Sequence, residues 1–267
     1  MHLSRILVLT VAFTSAAAVA SAAEWAVTPD HEWCSQHDWN GRYCEVRETE
    51  LPAPSGTLRI DGATNGGIRV EGWDRGQVLV MAKVTLHERS WSKRAGTAEA
   101  REIEILTDGG EIRATGPDRS DGWSVSYRVY VPRRSDLSLS THNGGISISE
   151  VDGDIEFRAQ NGGVHLEDLA GNVHGATQNG GLSVELDGYE WDGDGLDVRT
   201  TNGGIKLRIP EDYNADLVTG TVNGRMRVDF PIEVRGDLSR RLRTTLGRGG
   251  PEVSVVTTNG GVVIEHR

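Results

Sequence analysis

Apolar and polar residues alternate along most of this chain, and the alternation keeps a constant phase relative to one triplet, Asn-Gly-Gly. The triplet stands at Asn65-Gly66-Gly67, Asn143-Gly144-Gly145, Asn161-Gly162-Gly163, Asn179-Gly180-Gly181, Asn202-Gly203-Gly204 and Asn259-Gly260-Gly261, with a degenerate copy at Asn223-Gly224-Arg225. From Asn143 onward the spacings are 18, 18, 23, 21 and 36 residues. Three and five residues after each Asn lie apolar pairs: Ile146 and Ile148, Val164 and Leu166, Leu182 and Val184, Ile205 and Leu207, Met226 and Val228, Val262 and Ile264. Six and four residues before it, positions such as Leu137 and Leu139, or Ile155 and Phe157, alternate in the same way. Two residues before it the side chain is small, Ala159 or one of Thr141, Thr177, Thr200, Thr221 and Thr257.

Period-2 alternation marks strands with one buried face. Each repeat therefore reads as strand, Asn-Gly-Gly corner, strand, second corner. The second corners, Asp152-Gly153-Asp154, Ala170-Gly171-Asn172 and Asp192-Gly193-Asp194-Gly195, carry residues that turn the chain easily. One repeat holds too few apolar side chains to offset the cost of ordering it, so repeats must cover one another. The predicted fold is all-β: a β-solenoid of stacked 18–23-residue two-strand repeats from about residue 135 to 267. A meander of Asn-Gly hairpins is the alternative, and the constant phase favours the solenoid. The restricted small column predicts close stacking at the corner.

Residues 51–135 are β-rich but less regular. Leu58 to Ile60, Ile68 to Val70, Val78 to Val80, Val84 to Leu86, Ile112 to Ala114 and Val125 to Val131 alternate or run apolar. Ala98 to Glu102 reads as a short helix entering a strand Ile103 to Ile105, and Pro132 ends this half. These strands are expected to continue the same sheets, so 51–267 is read as a single domain.

The first residues read as a targeting segment. Arg5 precedes an apolar run from Ile6 to Ala20, followed by Ala20-Ser21-Ala22 as a cleavage site. Residues 1–22 are thus expected to be a signal peptide and the product periplasmic or secreted, with no transmembrane segment in the mature chain. Residues 23–50 read as an N-terminal extension or cap. Its Cys34 and Cys44, the only cysteines, are expected to form a disulfide in an oxidising compartment. A Cys2His2 metal site with His31 and His37 is the alternative for the same residues, and the export context disfavours it. Trp25, Trp33, Trp39 and Tyr43 make this segment aromatic. It reads either as a cap over an open end of the solenoid or as a surface that stacks on sugar rings.

The net charge of −11 argues against a nucleic-acid partner. One basic segment, Arg235, Arg240, Arg241, Arg243 and Arg248, departs from this balance. Trp33, Trp39, Arg240, Arg241 and Arg243 are therefore the candidate ligand contacts. Catalytic motifs such as a nucleophile elbow, a phosphate loop or His-Glu-x-x-His do not occur. His142, His165 and His174 have no partner that spacing identifies. Asp152, Asp154, Glu156, Glu167 and Asp168 could serve as surface carboxylates of the kind polysaccharide-cleaving β-helix enzymes use. The four Asp residues between Asp187 and Asp197 lack the closing Glu of a calcium loop. No catalytic residue, metal or cofactor is expected.

Three features together carry a resemblance: Gly72-Trp73-Asp74 after an early triplet, the strand Tyr127 to Pro132, and the serial Thr-x-Asn-Gly-Gly units. Over about residues 51–267 the chain resembles the adhesin-like family of exported bacterial envelope proteins, a domain of unknown function. The resemblance implies a β-solenoid-like fold and surface attachment, and it brings no catalytic residues. Two functions follow as expectations. One is a non-enzymatic envelope protein, an adhesin or scaffold whose partner is an unidentified surface glycan or protein. The other is a glycan-active enzyme or carbohydrate-binding module on a β-helix.

Overall fold

The computed structural model describes residues 24–29, 31–35, 42–89, 93–117, 122–229 and 241–267. The segment read as a signal peptide lies outside them, as do His37, Trp39, Arg235 and Arg240. The described chain is nearly all strand. Its strands form two sheets, one of eleven strands and one of ten among the described residues. Strands that precede a corner triplet lie in the ten-stranded, leading sheet. Strands that follow one lie in the eleven-stranded, trailing sheet. Each coil thus places one strand in each sheet, as the two-strand repeat requires.

Like positions stack on like. In the trailing sheet Ile146 lies beside Val164, Val164 beside Leu182, Leu182 beside Ile205, and Ile205 beside Val262, all in parallel register. A hairpin meander would pair these strands antiparallel, so the solenoid reading holds. The inward residues of both sheets form one continuous buried core, including Leu139, Phe157 and Val198. Volumes compensate within a column. Phe157 fills the space beside Gly175, where even a methyl group would overlap its ring.

The stack does not follow chain order at its ends. Named by corner asparagine, the coils run Asn65, Asn143, Asn161, Asn179, Asn202, Asn259, Asn223. Strands Glu252–Asn259 and Val262–His266 are inserted between the coil of Gly195–Ile209 and that of Ala215–Val228. At the other end, Leu58–Asp61 and Ile68–Trp73 lie between Leu137–Ser149 and a coil made of Glu111–Thr115 and Trp123–Pro132.

Beyond that coil the trailing sheet continues antiparallel, through Gln77–Arg89, Arg42–Pro52 and the edge strand Ala26–Pro29. The helix read at Ala98 to Glu102 spans Lys93–Ala100 instead, and its following strand is Glu104–Leu106. The helix packs on the inner side of Arg42–Pro52. Thr97 Oγ1 donates to the Tyr43 hydroxyl, which donates to buried Glu45. Arg47 pairs with Glu45 and donates to the carbonyls of Ala100 and Ile103, where the helix ends. A buried ion pair so fully hydrogen-bonded fixes the helix against the strand.

Cys34 and Cys44 form a disulfide with Cα atoms 5.9 Å apart. It ties the short helix Glu32–Ser35 to the strand Arg42–Pro52. Cys44 and Val46 alternate with Tyr43, Glu45 and Arg47, so the disulfide sits on the outer face of the trailing sheet. The sequence reading offered this loop as a cover for the open end. Among the described residues the helix Lys93–Ala100 covers the inner side of Arg42–Pro52, Trp25 and Tyr43 pack on the core, and the Cys34–Cys44 disulfide itself lies on the outer face of the sheet.

Candidate functional site

The Asn-Gly-Gly corners form an exposed edge ruled by a hydrogen-bond ladder. Asn143 Nδ2 donates to Asn65 Oδ1 at 3.0 Å, and Asn161, Asn179 and Asn202 continue the chain at 2.8 Å each. Asn259 donates to Asn202 at 2.7 Å and Asn223 to Asn259 at 2.8 Å. A second row fastens the corners from inside. The hydroxyls of Thr141, Thr177, Thr200 and Thr257 donate to the carbonyls of Gly66, Gly162, Gly180 and Gly203. This is the small-residue column of the sequence.

The two glycines of a triplet do different work. A methyl group on the first glycine would overlap the backbone of the preceding coil: Gly144 against Gly66, Gly162 against Gly144, Gly180 against Gly162, Gly203 against Gly180 and Gly260 against Gly203. A methyl on the second glycine would approach the next coil at only 3.2 to 3.6 Å for Gly145, Gly163, Gly181 and Gly204. None of these glycines has the positive φ of a left-handed corner. Their constraint is close packing of coil on coil. Arg225 replaces the second glycine at the last described strand of the trailing sheet, where its side chain is exposed.

Gly72-Trp73-Asp74 is built the same way. A methyl on Gly72 would overlap the Glu150 carbonyl. Trp73 stacks on Tyr130 with centroids 5.5 Å apart, and the Arg75 guanidinium lies 4.7 Å from its centroid. Arg133 bridges Asp74 at 2.8 Å and Glu150 at 2.7 Å.

The outer face of the leading sheet carries a shallow trough of about 430 Å³. Its floor is His174 and Ala176. One wall is Glu156 with Arg158, paired at 2.7 Å, and the other is Asp197 with Arg199, paired at 2.9 Å. The walls belong to the strands on either side of the floor, roughly 9–10 Å apart at the usual strand spacing. Acid–arginine pairs of this type offer acceptors and donors side by side, the chemistry that grips vicinal hydroxyls.

The other predicted residues fall elsewhere. Trp33 is half-buried, with Lys83 Nζ 5.1 Å and the Arg128 guanidinium 4.7 Å from its ring centroid. Burial and then Arg128 hold the Lys83 ammonium below its ordinary pKa. Two cations of its own chain thus already occupy the indole that was a candidate for sugar stacking. Arg241 and Arg243 are exposed on the antiparallel strand Arg241–Leu246, with Arg243 3.4 Å from Glu252. The five carboxylates considered as a catalytic set do not converge. Glu156 faces outward from the leading sheet, whereas Glu167 lies on the opposite face of the molecule, 3.3 Å from His165. Asp168 instead joins Asp187 and Glu185 in holding Arg267, at 2.9, 2.6 and 3.0 Å. Burial pushes the Asp168 carboxyl upward, and Arg267 offsets part of that shift. Among the described residues no cluster of His, Cys, Asp and Glu is arranged to hold a metal. No helix among them is long and apolar enough to cross a membrane.

The trough gave little sequence signal beyond its alternation. Its one legible cue is Gly175-Ala176, two small residues where neighbouring repeats carry Phe157-Arg158 and Val198-Arg199.

Several solved structures are similar to this chain. A candidate cell adhesion protein from Clostridium sporogenes is 10% identical, with a TM-score of 0.46, over 83% of this chain and 100% of its own. A candidate adhesin from Bacteroides fragilis is 9% identical, with a TM-score of 0.31, over 82% of this chain and 96% of its own. A candidate lipid-binding protein from Parabacteroides distasonis is 9% identical, with a TM-score of 0.28, over the same shares. No protein of curated function matches the chain. The model of the Toastrack DUF4097 family matches residues 63–265, which include every Asn-Gly-Gly corner and the glycine-dependent coil contacts described above, and the chain belongs to that family.

Proposed function

We propose that the protein is a non-catalytic, exported envelope component that attaches to a surface glycan through the outer face of its leading sheet. The observation that carries this reading is the trough over His174 and Ala176, walled by Glu156–Arg158 and Asp197–Arg199. Its groups are charge-balanced and open to solvent, which suits many weak contacts along a hydroxyl-rich chain better than enclosure of one reacting bond. The exposed Arg241 shares the row of Arg158 and Arg199 and extends the same face, with Arg243 in the row of Glu156 and Asp197. Trp39 and Arg240 lie outside the described residues; Arg240, the chain neighbour of Arg241, belongs to the proposal as a further contact. Export through a cleaved segment 1–22 is part of the same reading, and the Cys34–Cys44 disulfide supports it.

The test is attachment of the mature protein to whole cells and to isolated envelope polysaccharide. Arg158→Ala with Arg199→Ala, on a fold of unchanged melting temperature, should lower attachment at least tenfold. Attachment unchanged by that pair removes the trough from the proposal. Cleavage of a polysaccharide, abolished by changing Glu156 or Asp197, would replace the reading with a glycan-active enzyme.

A further inference from the structure

A second pocket lies where the regular stack meets the irregular end. Its volume is about 300 Å³. The corner loop of the first coil, Asp61 to Asn65, forms one side, and residues 114–117 with 123–125 form the other. The cause is a missing corner. Every other coil beside a triplet presents a second triplet or its copy, and the glycines close the gap. The coil of Glu111–Thr115 and Trp123–Pro132 has no Asn-Gly-Gly; Gly66 still packs against its Val125 carbonyl, and the space beside that contact is left open.

Tyr127 lines this pocket. In the trailing sheet it occupies the column held by Ile68, Ile146, Val164, Leu182, Ile205 and Val262 in the coils that follow. An aliphatic side chain suffices at that position everywhere else. Tyr127 is 1% exposed, yet its hydroxyl has no hydrogen-bond partner among the described residues. Burying an unpaired hydroxyl costs stability that phenylalanine would not incur. Burial, and then the charge of nearby Asp61, raise its pKa, so the group stays a neutral donor across the physiological range. Asp61 Oδ1 already accepts from the Ala63 amide at 2.9 Å and from Ser140 Oγ at 3.2 Å, which fixes the carboxylate at the rim.

We propose that this pocket binds one neutral monosaccharide unit, with Tyr127 donating to a sugar hydroxyl and Asp61 accepting from another. The chemistry selects the class. Among the described residues that line it, a carboxylate stands without a lysine or arginine beside it, which favours a neutral, hydroxyl-rich ligand over a phosphate or carboxylate. Among the described residues no third metal ligand joins Asp61. The Trp123 indole supplies an apolar wall suited to the C–H face of a sugar ring, and Thr64, Asn65 and Ser124 add neutral polar groups. The volume suits a single ring. This site is separate from the leading-sheet trough and does not depend on it.

Saturation-transfer NMR and calorimetry with D-glucose, D-galactose, N-acetyl-D-glucosamine and chitotriose would test the proposal on the mature chain. At least one of these sugars should bind. Tyr127→Phe should weaken that binding at least tenfold while melting at the same or a higher temperature. Attachment of Tyr127→Phe to envelope polysaccharide should equal that of the unaltered protein, which separates this site from the trough. Chitotriose binding more tightly than N-acetyl-D-glucosamine marks the terminus of a glycan chain as the source; equal binding marks a soluble sugar. Absence of binding by all four sugars overturns the proposal. So does undiminished binding by Tyr127→Phe, or a lower melting temperature, which would give the hydroxyl a structural role.

Discussion

The two ends of the stack use the same manoeuvre with different materials. At each end the chain lays down one coil, travels outward, and builds another beyond it. At the first end the coil of Leu58–Trp73 is covered by a further coil, then by long antiparallel strands and the helix Lys93–Ala100, with the disulfide on the outer face of those strands. At the last end the covering is thin. The strand Arg241–Leu246 closes the leading sheet, and the described trailing sheet finishes at Met226–Val228. The thick end is assembled from early residues and stapled by side chains, notably Glu45 with Arg47. The thin end is locked by a coil that arrives last. Triplet corners close the stack at the last end, and the coil without a triplet at the first end leaves the Tyr127 pocket beside the Gly66 contact. An array gains open chemistry where its repeat fails, because perfect repeats fill their own gaps.

The largest test of this asymmetry is removal of the last-arriving coil. Val253, Val255, Val262 and Ile264 are fully buried, and their strands have neighbours on both sides. A chain ending at residue 249 should lose cooperative unfolding altogether, measured by circular dichroism on heating. Removal of the edge strand Ala26–Pro29, all of whose residues are exposed, should shift the melting temperature by no more than about 2 °C. A cooperative transition in the chain ending at residue 249 would show that the inserted coil is not the lock.

Much of this architecture was legible in the residues, and the part that was not has a physical reason. Alternation fixes which face of a strand is buried, so Ile155 with Phe157 and Leu182 with Val184 were placed inward correctly. It does not say which strand lies alongside, because neighbouring coils share the same phase. The position of the Asn223 coil beyond that of Asn259 therefore could not be read from chain order. Arg225 carried the one signal: among the described residues its coil has a neighbour on one side only, so a long side chain fits there. Close stacking, which the small column of Thr and Ala predicts, accounts for the first glycine of each triplet, and none of the triplet glycines has positive φ. The trough and the pocket were invisible because each joins residues from separate coils. Tyr127 and Asp61 are far apart in sequence, and neither is unusual by itself.

Close stacking gives the next prediction, applied to the two inserted coils. A methyl on Gly66 would overlap the Val125 carbonyl, and one on Gly260 the Gly203 carbonyl. Backbone cannot yield as a flexible side chain does, so Gly66→Val and Gly260→Val should each cost about 3 kcal/mol or more. At Gly67 and Gly261 the nearest backbone atom would be 3.5 Å away. Gly67→Ala and Gly261→Ala should therefore stay within about 1 kcal/mol of the unaltered protein. Chemical denaturation measures all four. Similar losses at first and second glycines would contradict the packing explanation and return the argument to backbone conformation.

Loss of the disulfide is the most selective test. Cys34 and Cys44 are 10 residues apart, and a loop of that length contributes about 2–3 kcal/mol through the unfolded chain. Replacing both with Ser should lower the melting temperature by about 5–10 °C. The location of the loss is more informative than its size. Cys44 lies on the strand whose opposite side carries Tyr43, Glu45 and Arg47, the groups that hold the helix Lys93–Ala100. Loosening that strand should expose the first end and leave the coils from Asn143 to Asn259 intact. Hydrogen exchange should then accelerate across Arg42–Pro52 and Lys93–Ala100, with protection retained in Glu252–Asn259. Sites in a stack open by local units when neighbouring interfaces carry most of the stability. Equal acceleration at both ends would mean that the two caps unfold as one unit, and the contrast between a stapled end and a locked end would fail.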